Sequence, residues 1–173
     1  MLRMLKKVFL SAFVVVLVGV VCLGYGGLNL KMNSVYYAQR TPHSEGIEPV
    51  LMEVVRNLRW IYTPDIKGVK YDYDGNNIIY NTSFSGRDTA FTYYPRGEYE
   101  YYDNDSLTYS FDNRFKFIHV WNQRTLKISD DPVDVSAVKR DIFRVVQPVI
   151  DRQYAPLFNL QWVYDWVNKE RFN

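Results

Sequence analysis

The chain has one cysteine and two histidines among its 173 residues. The lone Cys22 lies in an uncharged N-terminal segment, so no disulfide can form within the chain and the folded part must be stabilised by packing alone. A structural zinc site needs about four ligands, mostly cysteine or histidine. These shortages exclude a disulfide scaffold and argue against a zinc enzyme.

Signatures of nucleophilic catalysis and of phosphate binding are also missing. The chain contains no Gly-x-Ser-x-Gly elbow and no glycine-rich phosphate loop. A net charge of +2 is too small to favour nucleic-acid binding. In the stretch YDYDGNN the glycine stands in the wrong place for a calcium loop, and Asp74-Gly75 predicts a hairpin turn instead. We therefore expect no metal, no cofactor, no nucleic-acid partner and no enzymatic activity.

One long apolar run is present, and it lies at the N-terminus. Val8 to Leu30 contains 23 residues without a charge, enough to cross a hydrocarbon core of about 30 Å as a helix. Arg3, Lys6 and Lys7 precede it, so the positive-inside rule predicts a cytoplasmic N-terminus. We assign residues 1–30 to a single-pass anchor in a bacterial inner membrane, in contact with the lipid bilayer. The rest of the chain is then expected in the periplasm or outside.

Two alternatives to an uncleaved anchor are open at this point. The densest part of the run, Val8 to Leu23, is only slightly longer than the apolar region of a signal peptide, and Gly24 and Gly26 suit a cleavage site. Cys22 offers a site for lipidation, although Val21 precedes it where lipoprotein signals carry a small residue. Cleavage would release the domain, whereas an anchor or a lipid would hold it at the membrane.

Residues 31–44 show no sustained period and contain Thr41-Pro42, so we interpret them as a linker. Residues 45–173 form the predicted extracytoplasmic domain. Its first helix is expected to begin after Ser44, as the N-cap, and to end near Trp60, because its apolar residues recur at helical spacing.

Between Ile66 and Ser129 the apolar pattern changes from a helical to a strand repeat. Short alternating runs are separated by turn signals such as Pro95-Arg96-Gly97. This pattern predicts an antiparallel meander of about seven strands with one apolar and one polar face. In its last long run, His119 and Trp121 are expected on the apolar face.

Two amphipathic helices are predicted after the sheet. The first starts at Asp131-Pro132 and ends or kinks at Pro148, and the second starts at Pro156. Their apolar stripes can cover the dry face of the sheet. The predicted fold class is therefore α+β, an antiparallel sheet with helices packed on one face, preceded by one N-terminal transmembrane helix.

Negative charge is concentrated in the predicted sheet. Residues 65–112 hold nine acidic and four basic side chains, a net charge of −5. At their centre lies the stretch PRGEYEYYDNDSLTYSF, where alternation and turn signals put part of the aromatic and acidic side chains on the polar face. Tyrosine offers a large contact area at small entropic cost, and carboxylates steer a basic partner. The candidate partner-binding residues are Tyr94, Glu98, Glu100, Tyr102, Asp103 and Asp105.

From these features we expect a membrane-anchored, non-catalytic protein that binds a basic protein or another envelope component through an acidic, Tyr-rich face. An inhibitor or immunity-type role is favoured because the charge is concentrated on a small domain. One alternative is a structural or accessory subunit of an envelope complex, associating through Val14 and Val18 within the bilayer. A second is an envelope hydrolase that uses Glu98 and Glu100 as paired carboxylates, or His119.

Overall fold

A computed structural model describes residues 2–81, 88–103 and 105–173 of the chain. In that part of the chain the predicted order of elements is confirmed: an N-terminal apolar helix, a short helical region, an antiparallel sheet and two further helices. The helices are α1 (Leu2–Met32), α2 (Ser34–Ala38), α3 (Pro49–Arg56), α4 (Val135–Ile150) and α5 (Gln161–Phe172). The strands are β1 (Val69–Asp72), β2 (Asn77–Asn81), β3 (Asp88–Tyr94), β4 (Glu98–Tyr102), β5 (Leu107–Phe111), β6 (Phe117–Asn122) and β7 (Lys127–Ile128).

The sheet is an open meander, as the sequence predicts. Its strands follow one another in chain order, and each pairs antiparallel with the next. Four of the connecting turns are closed by an Asp or Asn side chain that accepts hydrogen bonds from backbone amides two to four residues ahead. These side chains belong to Asp72, Asp103, Asp112 and Asn122. Part of the acidic character of the sheet region therefore has a structural role in its turns.

One face of the sheet, called here the covered face, packs against the helices. Its fully buried side chains include Ile78, Phe91 and Phe111. The ring of Phe115, from the β5–β6 turn, stacks on Phe111 with centroids 4.5 Å apart and meets Phe91 edge-on at 5.9 Å. Burying one such side chain contributes about 1.5–3 kcal/mol. Most aromatic side chains of the strands therefore pack in the core beneath the helices.

The C-terminal helix α5 is fastened to the N-terminal part of the domain. Tyr164 of α5 stacks on Tyr37 of α2 with ring centroids 5.2 Å apart. The Arg171 guanidinium donates to the carboxylate of Glu53 in α3, and Glu53 is only 3% exposed. Asn57 donates to the second oxygen of the same carboxylate at 2.6 Å. Removing one partner of a buried ion pair costs about 3–5 kcal/mol, so this pair ties α5 to α3.

The segment predicted as a linker, residues 31–44, belongs to the folded domain instead. α1 continues to Met32, and only Asn33 separates it from α2. Val35 and Tyr37 of α2 are fully buried in the core. The prediction is wrong because a helix of five residues is too short to show an apolar period. The domain therefore begins directly at the end of α1.

A hydrogen-bonded junction joins the end of α1 to the domain. The Tyr37 hydroxyl donates to Asn29 Oδ1 at 2.6 Å and accepts from the backbone amide of Leu160 at 3.1 Å. Asn29 Nδ2 donates to the carbonyl oxygen of Phe158 at 3.3 Å. Because Asn29 belongs to α1 while Phe158 and Leu160 precede α5, the junction fixes the apolar helix relative to the rest of the chain.

α1 carries the long apolar run. Its segment Ser11–Met32 is long and apolar enough to cross a membrane. Large apolar side chains between Phe13 and Leu23 are mostly exposed to the surroundings of the chain. Exposed apolar residues over such a length are typical of a helix in contact with lipid. An N-terminal helix suited to a single membrane span is therefore present.

Three helix starts differ from the predicted ones. α3 begins at Pro49, and Ser44 lies ahead of it, where its backbone amide donates to the carbonyl oxygen of Phe172. α4 is capped by Asp134, whose carboxylate accepts from the amide of Ala137 at 3.0 Å, rather than by Asp131. α5 begins at Gln161 and not at Pro156. In each case the helix begins a few residues later than the first turn signal.

The assignment of faces in β6 is also corrected. The pairing of β5 with β6 is irregular, because Ser110 lies opposite His119 and Phe111 opposite Phe117. Ile118 is therefore an extra residue in β6 and is 50% exposed. Such a bulge reverses the alternation beyond it. Val120 consequently occupies the covered face, and the prediction that His119 and Trp121 lie there is wrong.

We expect Tyr37→Phe to lower the free energy of unfolding by about 1–3 kcal/mol, because buried groups of the junction lose their hydrogen-bond partner. Denaturant titration of the full chain in detergent, followed by tryptophan fluorescence, measures this change. Tyr36→Phe is the matched control, since the structure gives its hydroxyl no hydrogen bond to any described residue. Equal stability of the two variants would show that the junction does not hold the helix.

Candidate functional site

The second face of the sheet, called here the open face, is the candidate site. Among the strand residues that the structure describes, those packed in the core all come from the covered face. The strand registers place on the open face Asn77, Ile79, Ala90, Thr92, Tyr94, Glu98, Glu100, Tyr102, Thr108, Ser110, His119 and Trp121. A broad surface of mixed polar and aromatic character is therefore left uncovered by the helices.

A row of polar side chains crosses the open face perpendicular to the strands. The register aligns Asn77, Thr92, Glu100, Ser110 and His119, one from each of β2 to β6. Thr92 Oγ1 donates to Asn77 Oδ1 at 3.0 Å, and Ser110 Oγ lies 3.5 Å from His119 Nε2. Neighbours of this kind on adjacent strands interact directly. The row gives the open face a hydrogen-bonding core between its aromatic residues.

Tyr94 and Tyr102 form a bridge over this row. They stand on opposite sides of Thr92 and Glu100 in the register, yet their hydroxyl oxygens are 2.9 Å apart. The Tyr102 hydroxyl donates a short hydrogen bond to the Glu100 carboxylate. Thr92 is only 7% exposed, although none of the described helices covers this face. The two rings therefore lean over the sheet and present a fixed aromatic surface.

Both tyrosines of this bridge remain protonated to high pH. Burial is the main cause that raises the pKa of Tyr102 above its ordinary value of 10.0, and the hydrogen bond to Glu100 adds to it. Burial also raises the pKa of Tyr94, while its hydrogen bond with Tyr102 acts in the opposite direction. At neutral pH both hydroxyls are therefore uncharged, and they lie beside the carboxylate of Glu100.

Arg96, from the β3–β4 turn, modifies the charge at one end of the open face. Its Nε lies 2.6 Å from a carboxylate oxygen of Glu98, and its guanidinium carbon lies 5.6 Å from the ring centroid of Tyr94. Both charged side chains of the pair stay substantially exposed. An exposed pair contributes about 1 kcal/mol or less, so Glu98 is still accessible to another cation.

Asp103 has a structural role that the sequence analysis does not assign to it. One of its carboxylate oxygens accepts from the backbone amides of Asp105 and Leu107, at 2.9 and 2.8 Å. The other accepts from the Tyr109 hydroxyl at 3.0 Å. Its carboxylate therefore closes the β4–β5 turn. Asp105 is exposed at the tip of the same turn, so its carboxylate is accessible to a partner.

A shallow cavity of about 680 Å³ lies on the open face beside these residues. Tyr94, Tyr102 and Thr92 line it, together with the carboxylates Asp72 and Asp88. Its volume is within the range of small-molecule and peptide side-chain sites. The cavity can accept an extended basic side chain from a partner, with carboxylates near it and phenol rings along its wall.

The structure brings four of the six predicted residues together, namely Tyr94, Glu98, Glu100 and Tyr102. Reasoning from the sequence missed Thr92, Asn77 and Asp88. The first two look like ordinary strand residues, and only the register reveals that they share a row with Glu100. Asp88 belongs to a turn signal, and nothing in the sequence distinguishes it from the other aspartates in turns.

The paired carboxylates of the hydrolase hypothesis, Glu98 and Glu100, lie on the same face as expected for strand positions two apart. Each is already engaged, Glu98 with Arg96 and Glu100 with Tyr102. Within the described ranges, no group of three or more His, Cys, Asp and Glu side chains is arranged to hold a metal ion.

No protein-family model matches the chain, and comparisons with curated proteins and with solved structures give no match. Function therefore has to be inferred from the residues of this chain.

The free energy of unfolding should fall as the pH rises above 10, and Tyr102→Phe should reduce this fall. A phenol whose pKa is raised in the folded state contributes stability that is complete below its ordinary value of 10.0 and is lost above it. Denaturant titrations on both sides of that pH measure the effect. Tyr154→Phe, at an exposed phenol, is the control, and equal pH dependence in both variants would contradict the role of burial.

Proposed function

We propose that the protein is a membrane-anchored, non-catalytic binding protein that recognises a basic protein partner through the open face of its sheet. The anchor is a single N-terminal span in a bacterial inner membrane, with the N-terminus in the cytoplasm and the domain in the periplasm or outside. The observation that carries the proposal is the bridge of Tyr94 and Tyr102 beside Glu100, a fixed aromatic and acidic surface without a covering helix.

Preorganisation supports binding by this surface. The hydroxyls of Tyr94 and Tyr102 are already paired, so their rings lose little further freedom when a partner packs on them. Interfaces are enriched in tyrosine for this reason, and its contacts commonly dominate the binding energy. The cavity next to the bridge adds depth to the open face.

Charge supports a basic partner. The described residues of the open face and its turns include the carboxylates of Asp72, Asp88, Glu98, Glu100, Asp103 and Asp105. Nearby cations are fewer, and Arg96 is already paired with Glu98. Complementary charge raises association rates and disfavours wrong partners. Within this class an inhibitor or immunity-type role fits best, because the charge is concentrated on one face of a small domain.

Reversing two exposed charges tests the proposal without damaging a turn. We expect Asp88→Lys combined with Glu98→Lys to reduce capture of the partner roughly tenfold, since each exposed charge pair contributes up to about 1 kcal/mol. The readout is cross-linking in intact cells from a photoreactive aromatic residue placed at Trp121, which is 37% exposed on the open face, followed by identification of the captured proteins. The partner lost on reversal should itself be basic, and its capture should weaken with added salt.

The matched control is Asp130→Lys combined with Glu170→Lys. This variant changes the net charge by the same amount at two exposed carboxylates outside the open face, one after β7 and one in α5. It should retain the wild-type set of captured proteins. If reversal on the open face leaves that set unchanged, the acidic surface serves solubility alone and the proposal fails.

A second candidate function is favoured by the junction at the end of α1. A fixed connection between span and domain suits a subunit that has to keep one orientation within a membrane complex. Tyr37 and Asn29 provide such a connection, because they bond α1 to the chain ahead of α5. This observation keeps the role of a structural or accessory subunit as the alternative.

Exchange of the span separates the two functions. We replace residues 8–24 by an unrelated uncharged apolar sequence of the same length, which keeps the junction intact. A binding protein should retain its captured partners, because the exchanged residues only hold it in the membrane. Loss of capture at normal membrane levels of the protein would instead indicate specific association through Val14, Val18 and their neighbours. As a control for side-chain packing within the bilayer, a second exchanged span carries small residues at positions 14 and 18.

A further inference from the structure

Large apolar side chains are exposed in a cluster just before α5 and in its first turn. Leu157 is 92% exposed, Phe158 is 64% exposed and Trp162 is 73% exposed. The sequence from Tyr154 to Leu160 carries no charge. Contiguous apolar surface of this kind marks a contact with another molecule or with a membrane. We call this segment, residues 154–162, the aromatic foot.

The aromatic foot lies against the last turns of α1. The ring of Phe158 meets that of Tyr25 edge-on, with centroids 6.1 Å apart. Pro156 and Leu157 line a cleft of about 320 Å³ together with Leu28. Asn29 donates to the Phe158 carbonyl oxygen at 3.3 Å. The foot is therefore at the same height along α1 as residues near the end of its apolar run.

The position of Tyr25 along α1 gives the depth of the foot. The uncharged run from Val8 to Leu30 is centred on Gly19, and six residues of helix from there to Tyr25 span about 9 Å. Half of a hydrocarbon core is about 15 Å. With α1 across the bilayer, Tyr25 lies inside the hydrocarbon boundary. Phe158, which touches it, lies at or just inside that boundary.

Aromatic side chains also flank the emerging end of α1 at Trp60. The ammonium group of Lys31, the first charged residue after the span, lies 5.1 Å from the centroid of the Trp60 ring. Tyr62 contacts Tyr154 of the foot, with ring centroids 5.4 Å apart. Tryptophan and tyrosine are enriched at the level of lipid headgroups, where an apolar ring and a polar tip are both accommodated. These residues provide aromatic side chains of that kind beside the end of the helix.

Two backbone groups of the foot have hydrogen-bond partners within the protein. The Phe158 carbonyl accepts from Asn29, and the Leu160 amide donates to Tyr37. An unsatisfied backbone group costs several kcal/mol in hydrocarbon, so a segment of irregular backbone suits the hydrated interfacial layer rather than a deeper position.

We propose that the aromatic foot inserts into the interfacial layer of the bilayer, so that the domain is seated on the membrane surface in addition to being anchored by α1. The occupant of the exposed apolar surface is lipid of the leaflet into which α1 emerges. The argument for lipid is the continuity of the foot with the membrane-spanning helix. This inference goes beyond the proposed function, because it applies whatever the open face binds.

Spin-label accessibility in the full chain tests this seating. The variant carries Cys22→Ser and Leu157→Cys, is labelled at the new cysteine and is reconstituted in vesicles of phosphatidylcholine and phosphatidylglycerol. Collisions with oxygen, which partitions into lipid, should exceed collisions with a water-soluble nickel complex. Leu157 is almost fully exposed within the protein, so the substitution leaves the core intact.

The matched control is Leu126→Cys in the same background. Leu126 is 69% exposed in the β6–β7 turn. The foot contacts Tyr62. The neighbouring Thr63 shares a hydrogen bond with Tyr73, in the turn that follows β1. The foot is therefore near the β1 edge of the sheet, whereas Leu126 is next to β7 at the other edge, about 30 Å away across the strands. We expect the ratio of oxygen to nickel collisions to be severalfold higher at position 157 than at position 126.

Two results would overturn the proposal. Equal ratios at the two positions would place the foot in water. Protection from both reagents at position 157, with dipolar broadening between labels, would identify a second copy of the chain as the occupant. A label on native Cys22 separates these outcomes from failure of the anchor. If Cys22 is in lipid while position 157 is in water, the anchor stands and the seating is wrong.

Discussion

Alternation along a meander is the constraint on which the rest of this structure depends. Strands that pair in chain order give a single open sheet, and most of its large apolar side chains have to be covered from one side. The helices meet that requirement with a core built around Phe91, Phe111 and Phe115. Because the helices that pack on the sheet lie on that side, the opposite face is free to carry carboxylates and tyrosines. The candidate site is thus the unavoidable second surface of the sheet, elaborated by its side chains.

The helical layer is closed by contacts between the two ends of the domain. Arg171, near the C-terminus, pairs with buried Glu53 of α3, while Tyr164 stacks on Tyr37 just after α1. These contacts join residues more than 100 positions apart in the sequence. Such long-range contacts are typical of folds that form slowly.

Features that repeat along the sequence could be predicted from it, whereas features that depend on one residue or one short segment could not. Alternation over many residues predicted the strands and the face of Tyr94, Glu98, Glu100 and Tyr102. A bulge at Ile118 changed the face of His119, and no local pattern announces one extra residue. The short helix α2 gave no period. The role of Asp103 escaped prediction because a carboxylate that closes a turn and one that awaits a partner have the same sequence.

The hydrogen-bonded junction between α1 and the domain has a consequence for encounters with a partner once α1 spans a membrane, as we propose. The angular freedom of the sheet is limited to what tilting of the helix allows, because Asn29, Tyr37 and Phe158 lock the two together. A partner embedded in the same bilayer would search in two dimensions and meet a surface held at constant height, which raises its effective concentration. A freely diffusing partner gains nothing from that arrangement.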